Sequence, residues 1–393
     1  MIKVEYYGVF MKISGLSTHT VYPSRDRSWL FIVVETDEGI VGFGEASQSR
    51  NDAGVIAEVE RISSEYIGHS PLDLIERRNA LLAWPYVGRT LYAAVSGIEQ
   101  ALWDLCGKKL GIPVYQLLGG KVREKVRGYA NVGYVARDNS PEAIAEAARS
   151  ASQAGFDSVK LYPFGMRPSG GPDRIAEARW IELGIERVRA VREAVGPDVS
   201  VLADLMHQFT DLQEARQVAK RLDQFDLFWI EDPFGYDDPR QLAEFRRGIG
   251  PRLAGGVPHL TRREFRPLLE HGALDVIMPD LKWLGGINEA KKAAAIAETF
   301  GVLVSPHNAS GPVASAAAMH LSLSVSNFLI VEHAWAVPDW RGQLCRHKEK
   351  IEMGHFPAPT EPGLGIDLDM DVIARHSSVP LSAPSRGVSF PVH

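Results

Sequence analysis

From Val126 onward the chain alternates short apolar or β-branched runs with long stretches in which hydrophobic positions recur every three to four residues, the pattern of repeated βα units. Eight such runs follow in order: VRGYANV (126–132), DSVKLY (157–162), VSVLAD (199–204), DLFWIE (226–231), PRLAGGV (251–257), LDVIMPD (274–280), VLVSPH (302–307) and FLIVEH (328–333). Each predicts a strand. The intervening stretches predict helices, with starts near Ser140-Pro141-Glu142, Thr210-Asp211, Asp238-Pro239 and Thr261, where a capping side chain or a proline suits the first turn. Gly155, Gly196, Gly272 and Gly301 stand just past helical patterns, where a residue free to take positive φ closes a helix. Eight repeats of this size favour a closed (β/α) barrel over an open doubly wound sheet, because no Gly-x-Gly-x-x-Gly opens the first unit.

The first 125 residues read differently. WLFIVVETDEGIVGFGEAS holds two period-2 runs around the turn Asp37-Glu38-Gly39, and a helical region follows from about Ala53 to Gly107. Strands followed by helices predict a separate α+β domain over residues 1–125, with the barrel over 126–355. After Ala334 the repeat stops, and PAPTEPGLGIDLD leads into a tail, about 356–393, expected to pack back on a neighbouring domain.

Composition narrows the function classes. A chain of 393 residues that is 45% hydrophobic and 23% charged buries a sizeable core, which excludes disordered and fibrous classes. Lys and Arg number 43 against 49 Asp and Glu, and no basic run is present, so nucleic acid is not an expected partner. Cys106 and Cys345 are too few for a disulfide scaffold and too far apart for a zinc motif, which predicts a reducing compartment. No apolar stretch approaches the roughly 18–20 residues of a membrane span, and MIKVEYYGVFMKI lacks the pattern of a secretory leader. A cytoplasmic location is the expectation.

In a (β/α) barrel, the C-terminal strand ends face the active site. Here those ends carry Lys160 and Tyr162, Asp204, Glu231 with Asp232, Val257, Asp280 with Lys282, His307, and Glu332. Asp204 and Glu231 close adjacent strands, so two hard oxygen ligands can meet at one mouth, as Mg²⁺ requires. Lys160 ends an apolar run, where desolvation and nearby cations would lower its pKa towards that of a general base, the alternative being that it simply pairs with one of the acids. Asp280 and His307 close neighbouring strands; a carboxylate holding one imidazole nitrogen frees the other for proton transfer.

These residues resemble the enolase superfamily and, within it, the mandelate racemase-like group. The resemblance spans nearly the whole chain and rests on SGIEQALWDLCGKKLGIPVYQLLGG (96–120), WIEDPF (229–234), RLAGG (252–256), MPDLKWLGGINEA (278–290) and VSPHNASGP (304–312). It implies a modified TIM (β/α) barrel closed by an N-terminal α+β capping domain, and a first step that removes a proton α to a carboxylate. By position, Asp204 and Glu231 match the first two Mg²⁺ ligands, Lys160 the first lysine of the family's Lys-x-Lys pair, Asp280 and His307 its Asp-His dyad, and Glu332 the acid that hydrogen-bonds the developing enediolate. Two positions depart. Tyr162 stands where the second lysine is expected, and Val257 stands where the third ligand falls in the family's Ala-x-Gly-Glu pattern.

Valine cannot ligate a cation, so Mg²⁺ is expected to bind weakly unless Asp232, His207, His259 or the substrate supplies the missing contact. His207 is a candidate acid or substrate contact, and Lys282 an electrostatic neighbour of the dyad. A mobile loop is expected from Gly15 to Ser28, with His19, Tyr22 and Arg25 as candidate substrate contacts. The leading expectation is a Mg²⁺-assisted lyase that dehydrates a sugar acid or related hydroxy acid. A racemase, epimerase or cycloisomerase, and a non-catalytic member weakened by Val257, stay open as alternatives. The resemblance also implies a homo-oligomer acting on a small carboxylate substrate, with no membrane partner.

Overall fold

The computed structural model describes residues 11–25, 27–48, 51–74, 82, 87–133, 139–168, 174–335, 337–347 and 349–378. Strands β1 (Ile13–Ser24), β2 (Arg27–Thr36) and β3 (Val41–Glu45) form an antiparallel sheet in that order. The segment expected as a mobile loop is therefore mostly strand. Thr18, Thr20 and Val21 pair with Ile32, Leu30 and Trp29, and β-branched residues on a half-buried pleated surface outweigh the polar composition that suggested a loop. Alternation along β2 sorts its side chains. Leu30, Ile32 and Val34 pack with helices α1 (Asp52–Ile62) and α2 (Arg89–Leu110), while Trp29, Phe31 and Val33 join the core shared with the barrel.

The barrel strands are β4 (Lys125–Asn131), β5 (Ser158–Leu161), β6 (Ser200–Asp204), β7 (Leu227–Glu231), β8 (Arg252–Gly255), β9 (Val276–Ile277), β10 (Leu303–Val304) and β11 (Val331–Ala334). Every predicted run contributes one. They pair in parallel in the order β10-β9-β8-β7-β6-β5-β4-β11, and a parallel bridge between Val304 and Phe328 joins the two ends, closing the ring. Outside lie α3 (Pro141–Gln153), α4 (Arg174–Val195), α5 (Leu212–Leu222), α6 (Pro239–Arg247), α7 (Arg262–Glu270), α8 (Ile287–Thr299) and α9 (Pro312–Ser324). Ser140, Asp211 and Asp238 cap α3, α5 and α6 as expected. Thr261 heads α7 without a side-chain cap bond; instead Glu264 accepts the Leu260 N–H at 2.9 Å.

Period two builds the site. Tyr129, Leu202, Trp229, Ala254, Val276, Met278 and Ile330 fill the barrel interior. The residue two positions beyond Tyr129, Leu202, Trp229, Met278 and Ile330 repeats the inward direction one layer higher, which brings Asn131, Asp204, Glu231, Asp280 and Glu332 to the mouth.

Two carboxylates of the N-terminal layer hold it over that mouth. Glu45 accepts the Gly311 and Ala314 N–H groups at 2.8 and 3.0 Å, and Glu99 accepts those of Ile287 and Asn288 at 2.7 and 2.9 Å. Each thereby caps the exposed amide end of a barrel helix, α9 or α8, which follows a strand end carrying His307 or Asp280. Gly286 must be glycine here. Its φ is +90°, and an added Cβ would lie 2.0 Å from the Glu99 carboxylate.

Burial holds the His320 and His333 imidazoles down to about 4, against an ordinary 6.5. A depressed histidine stabilises the fold fully above pH 6.5 and loses that contribution as pH falls towards 4, by up to about 3 kcal/mol each, because only the unfolded chain takes up the proton early. His333 lies between the Phe156 and Phe356 rings, at 5.8 and 5.5 Å. His333→Phe is therefore expected to reduce the loss of stability between pH 7 and pH 4.5 in urea titrations; an unchanged loss would assign the acid sensitivity elsewhere.

Candidate active site at the barrel mouth

Lys160 is fully buried at the centre of the mouth. Its Nζ lies 3.0 Å from Glu231 Oε1, 3.3 Å from Asp204 Oδ2 and 3.3 Å from Glu332 Oε1. Burial alone would lower its pKa, but Glu231, Glu332, Tyr129 and Asp204 outweigh it and raise the lysine well above its ordinary range. The expectation of a lowered, base-like Lys160 is thus reversed: the cations imagined nearby are carboxylates. Lys160 is an ammonium at neutral pH.

Glu332 is buried too, yet Lys160, His307, the Asn308 N–H and the Asn131 amide hold its carboxyl down to about 2. In this arrangement both of its oxygens accept hydrogen bonds, from the Asn131 amide and the Asn308 N–H. Asn131 also donates to the Tyr162 hydroxyl at 2.7 Å, so one amide ties the phenol to Glu332.

Across the mouth, His307 Nδ1 lies 2.6 Å from Asp280 Oδ2, and a parallel bridge joins the two residues. A carboxylate only accepts, so Nδ1 carries a proton, and Nε2 faces Glu332 Oε2 at 3.5 Å. Lys282 Nζ also reaches Asp280 Oδ2, at 2.6 Å. Burial opposes ionisation of Asp280, but Lys282 and His307 hold its carboxyl down to about 2. Trp283 stands 5.7 Å from the His307 ring, and Arg89 of α2 lies 5.1 Å above the indole while donating to Pro258 O at 2.8 Å.

Asp204, Glu231 and Asp232 bring carboxylate oxygens within 4.8 Å of one another, and all three are buried. In a regular strand Asp232 would face away from Glu231. Instead its φ is +45°, in the left-handed region, which turns both carboxylates into one cavity. Met206 and His207 take the same conformation, at +53° and +56°. Tyr236 donates to Asp232, and His207 Nε2 lies 3.2 Å from its other oxygen. A Cβ at residue 255 would lie 2.1 Å from the Tyr236 hydroxyl, so Gly255 makes room for this pair.

The donor set fits a divalent cation. Asp204, Glu231 and Asp232 bring three buried carboxylates together, the first two beside the Lys160 ammonium and the third beside His207, whose imidazole is raised to about 9 as Asp232 and the Phe234 carbonyl outweigh burial. Burial, Asp204 and Asp232 push Glu231 well above the carboxylate range, and burial and Asp232 push Asp204 upward. Such surplus negative charge is relieved by a hard cation with oxygen ligands. Val257 packs against the interior cluster of the barrel. His259 is not among the three grouped acids; it faces Tyr236 and Phe265, with Nδ1 3.5 Å from Glu264.

The strand-end candidates thus converge, whereas the three from the N-terminal segment are placed by β1. His19 lies beside Ser17 at 3.1 Å and lines an 800 Å³ cleft with Lys108, Arg346 and Asp367. Tyr22 donates its backbone N–H to His376 O at 3.1 Å, and Arg25 is exposed at the hairpin turn. Sequence reading missed Asn131, Asn308, Tyr236, Trp283 and Arg89. Asn131 carried a usable signal, standing two residues beyond Tyr129 in a predicted strand; the others lie on loops or on a helix of another layer, where no period marks them.

Residues 142–372 match the enolase C-terminal domain-like family, and residues 11–119 match the N-terminal domain of the mandelate racemase / muconate lactonizing enzyme family. The D-galactonate dehydratase of Pectobacterium atrosepticum is 32% identical, over 93% of this chain and 94% of its own. The D-xylonate dehydratase of Haloferax volcanii is 33% identical, over 88% of this chain and 85% of its own. Among solved structures, a member of the enolase superfamily from Salmonella Typhimurium superposes with a TM-score of 0.83 at 31% identity, covering 93% of this chain and 98% of that one.

Proposed function

The chain belongs to the enolase superfamily, in the mandelate racemase / muconate lactonizing enzyme family, and on that premise we propose that it dehydrates a sugar acid to a 2-keto product. The observation that carries this reading is one mouth in which a cationic and carboxylate-rich pole, Lys160 with Asp204 and Glu231, faces the Asp280–His307 dyad. The names of the relatives support the substrate class.

In this reading Lys160 pairs with the substrate carboxylate, with Glu332 and Asn131 holding the ammonium and the Tyr162 phenol in place. His307 Nε2, with Asp280 fixing the other nitrogen, takes or gives the proton at the reacting carbons, and Tyr162 is the candidate group on the opposite face. His207 and Lys282 stand as further polar groups at the rim. His19, Tyr22 and Arg25 remain substrate contacts only as a proposal, since their described neighbours belong to the N-terminal sheet and the C-terminal segment. Mg²⁺ bound by Asp204 and Glu231 would supply the charge that acidifies the α-proton, with Asp232 replacing the acid absent at Val257.

Val257→Glu is expected to tighten Mg²⁺ binding about tenfold in calorimetry, and Asp232→Asn to weaken it similarly. Unchanged affinity in both variants would remove Asp232 from the ligand set.

A cap over 1–125 completed by the tail, a barrel over 126–355, a cytoplasmic location and a homo-oligomer belong to the same proposal. No helix among the described residues is long and apolar enough to cross a membrane. The deciding experiment is mass spectrometry of a pooled sugar-acid library incubated with the protein in D₂O, with and without Mg²⁺. Loss of water from one member supports the dehydratase; deuterium gain without water loss replaces it with a racemase or epimerase. An isobaric product with a new ring would indicate a cycloisomerase, and no change under any condition a non-catalytic protein.

A further inference from the structure

Two carboxylates contact His307, and each carries its own lysine. Asp280 Oδ2 lies 2.6 Å from Nδ1 and 2.6 Å from Lys282 Nζ, while Glu332 Oε2 lies 3.5 Å from Nε2 and Glu332 Oε1 lies 3.3 Å from Lys160 Nζ. Arg89 lies beyond the Trp283 indole that stands beside the ring, and Glu45 acts on Lys282 from β3. Lys282 is only 3% exposed, so placing its ammonium here costs desolvation. Orienting Asp280 does not need that ammonium, because the Lys282 backbone N–H already donates to the other oxygen, Oδ1, at 2.7 Å. What the ammonium adds is charge on the same oxygen that His307 uses.

We propose that Lys282 is a positioning residue for the dyad: its ammonium shares the Asp280 oxygen that holds His307 Nδ1 and so weakens the pull of that carboxylate on a second proton at Nε2. An unopposed carboxylate on Nδ1 favours the imidazolium and makes the ring a base that retains its proton. A neighbouring ammonium on that oxygen works against the imidazolium. Dehydration requires a proton to be taken from carbon and one given to the departing hydroxyl, so a ring that exchanges in both directions serves both steps. That consequence for the reaction rests on the dehydratase reading; the electrostatic effect does not.

The test uses the full chain with Lys282→Gln, which keeps a donor for Asp280 and removes the charge, Lys282→Met as a second neutral variant, and Lys282→Arg as the charge-retaining control. The His307 ring is titrated by NMR in each, and the pH dependence of kcat/KM is recorded on the sugar acid identified. Both neutral variants are expected to move the imidazole titration up by about one pH unit, with the matching limb of the rate profile following, while Lys282→Arg leaves both in place. If His307 titrates as in the parent in the folded neutral variants, or moves downward, the proposal is wrong and Lys282 only packs or binds substrate. If no sugar acid is turned over by the parent protein, the dehydratase reading fails, and the NMR titration still decides the role of Lys282.

Discussion

Replacing His307 with asparagine is expected to lower sugar-acid turnover about 10³-fold, near the middle of the range for removing a positioned acid–base group. Asparagine is close in size and can still meet Asp280, whose Oδ2 lies 2.6 Å from the present Nδ1, so the loop between β10 and α9 has no reason to rearrange. What disappears is the ring nitrogen 3.5 Å from Glu332, the proposed proton-transfer atom. In the proposed reading Lys160 and the carboxylate cluster on the other side bind the substrate, so the loss is expected to fall on kcat while KM stays within a few-fold. Single-turnover kinetics with an α-deuterated substrate locate the damaged step. Rates near those of the parent protein would remove His307 from the chemistry and move attention to Tyr162.

Lys160→Met is expected to have the largest effect on stability, about 3–5 kcal/mol, because it removes the partner of several buried carboxylates at once. Asp204, Glu231 and Glu332 all lie within 3.3 Å of the Nζ that would be lost, and none is more than 4% exposed. Methionine fills the same volume, so the change reports charge rather than a cavity. Without the ammonium, the cluster should rely more heavily on a divalent cation, and urea unfolding should show a greater stabilisation by Mg²⁺ in the variant than in the parent chain. Equal stability of the two proteins without metal would mean that the carboxylates are already protonated, and the ammonium would then contribute little.

Regular spacing explains which parts of the molecule were legible before the structure. The eight strand runs and the starts of α3, α5 and α6 follow from local patterns, since side-chain direction in a strand depends only on parity and a helix start on its cap. Parity also fixes which polar residues reach the mouth once a closed barrel is assumed, and so Lys160, Asp204, Glu231, Asp280, His307 and Glu332 could be chosen from their places at the strand ends. The N-terminal segment shows the limit of composition. SGLSTHTVYPS reads as polar loop, yet it pairs along β2 because an apolar partner strand and a packed layer beneath it were available.

Sequence by itself therefore determined the repeat, the layer of polar groups at the strand ends, the family and the two departures at Tyr162 and Val257. Tertiary structure alone decided the protonation logic and the third carboxylate. Lys160 is held as an ammonium because three acids from β6, β7 and β11 surround it, and pKa depends on distances between groups far apart in the chain. Asp232 enters the cavity only through a left-handed backbone turn stabilised by Tyr236 and His207, a conformation that no period or composition encodes.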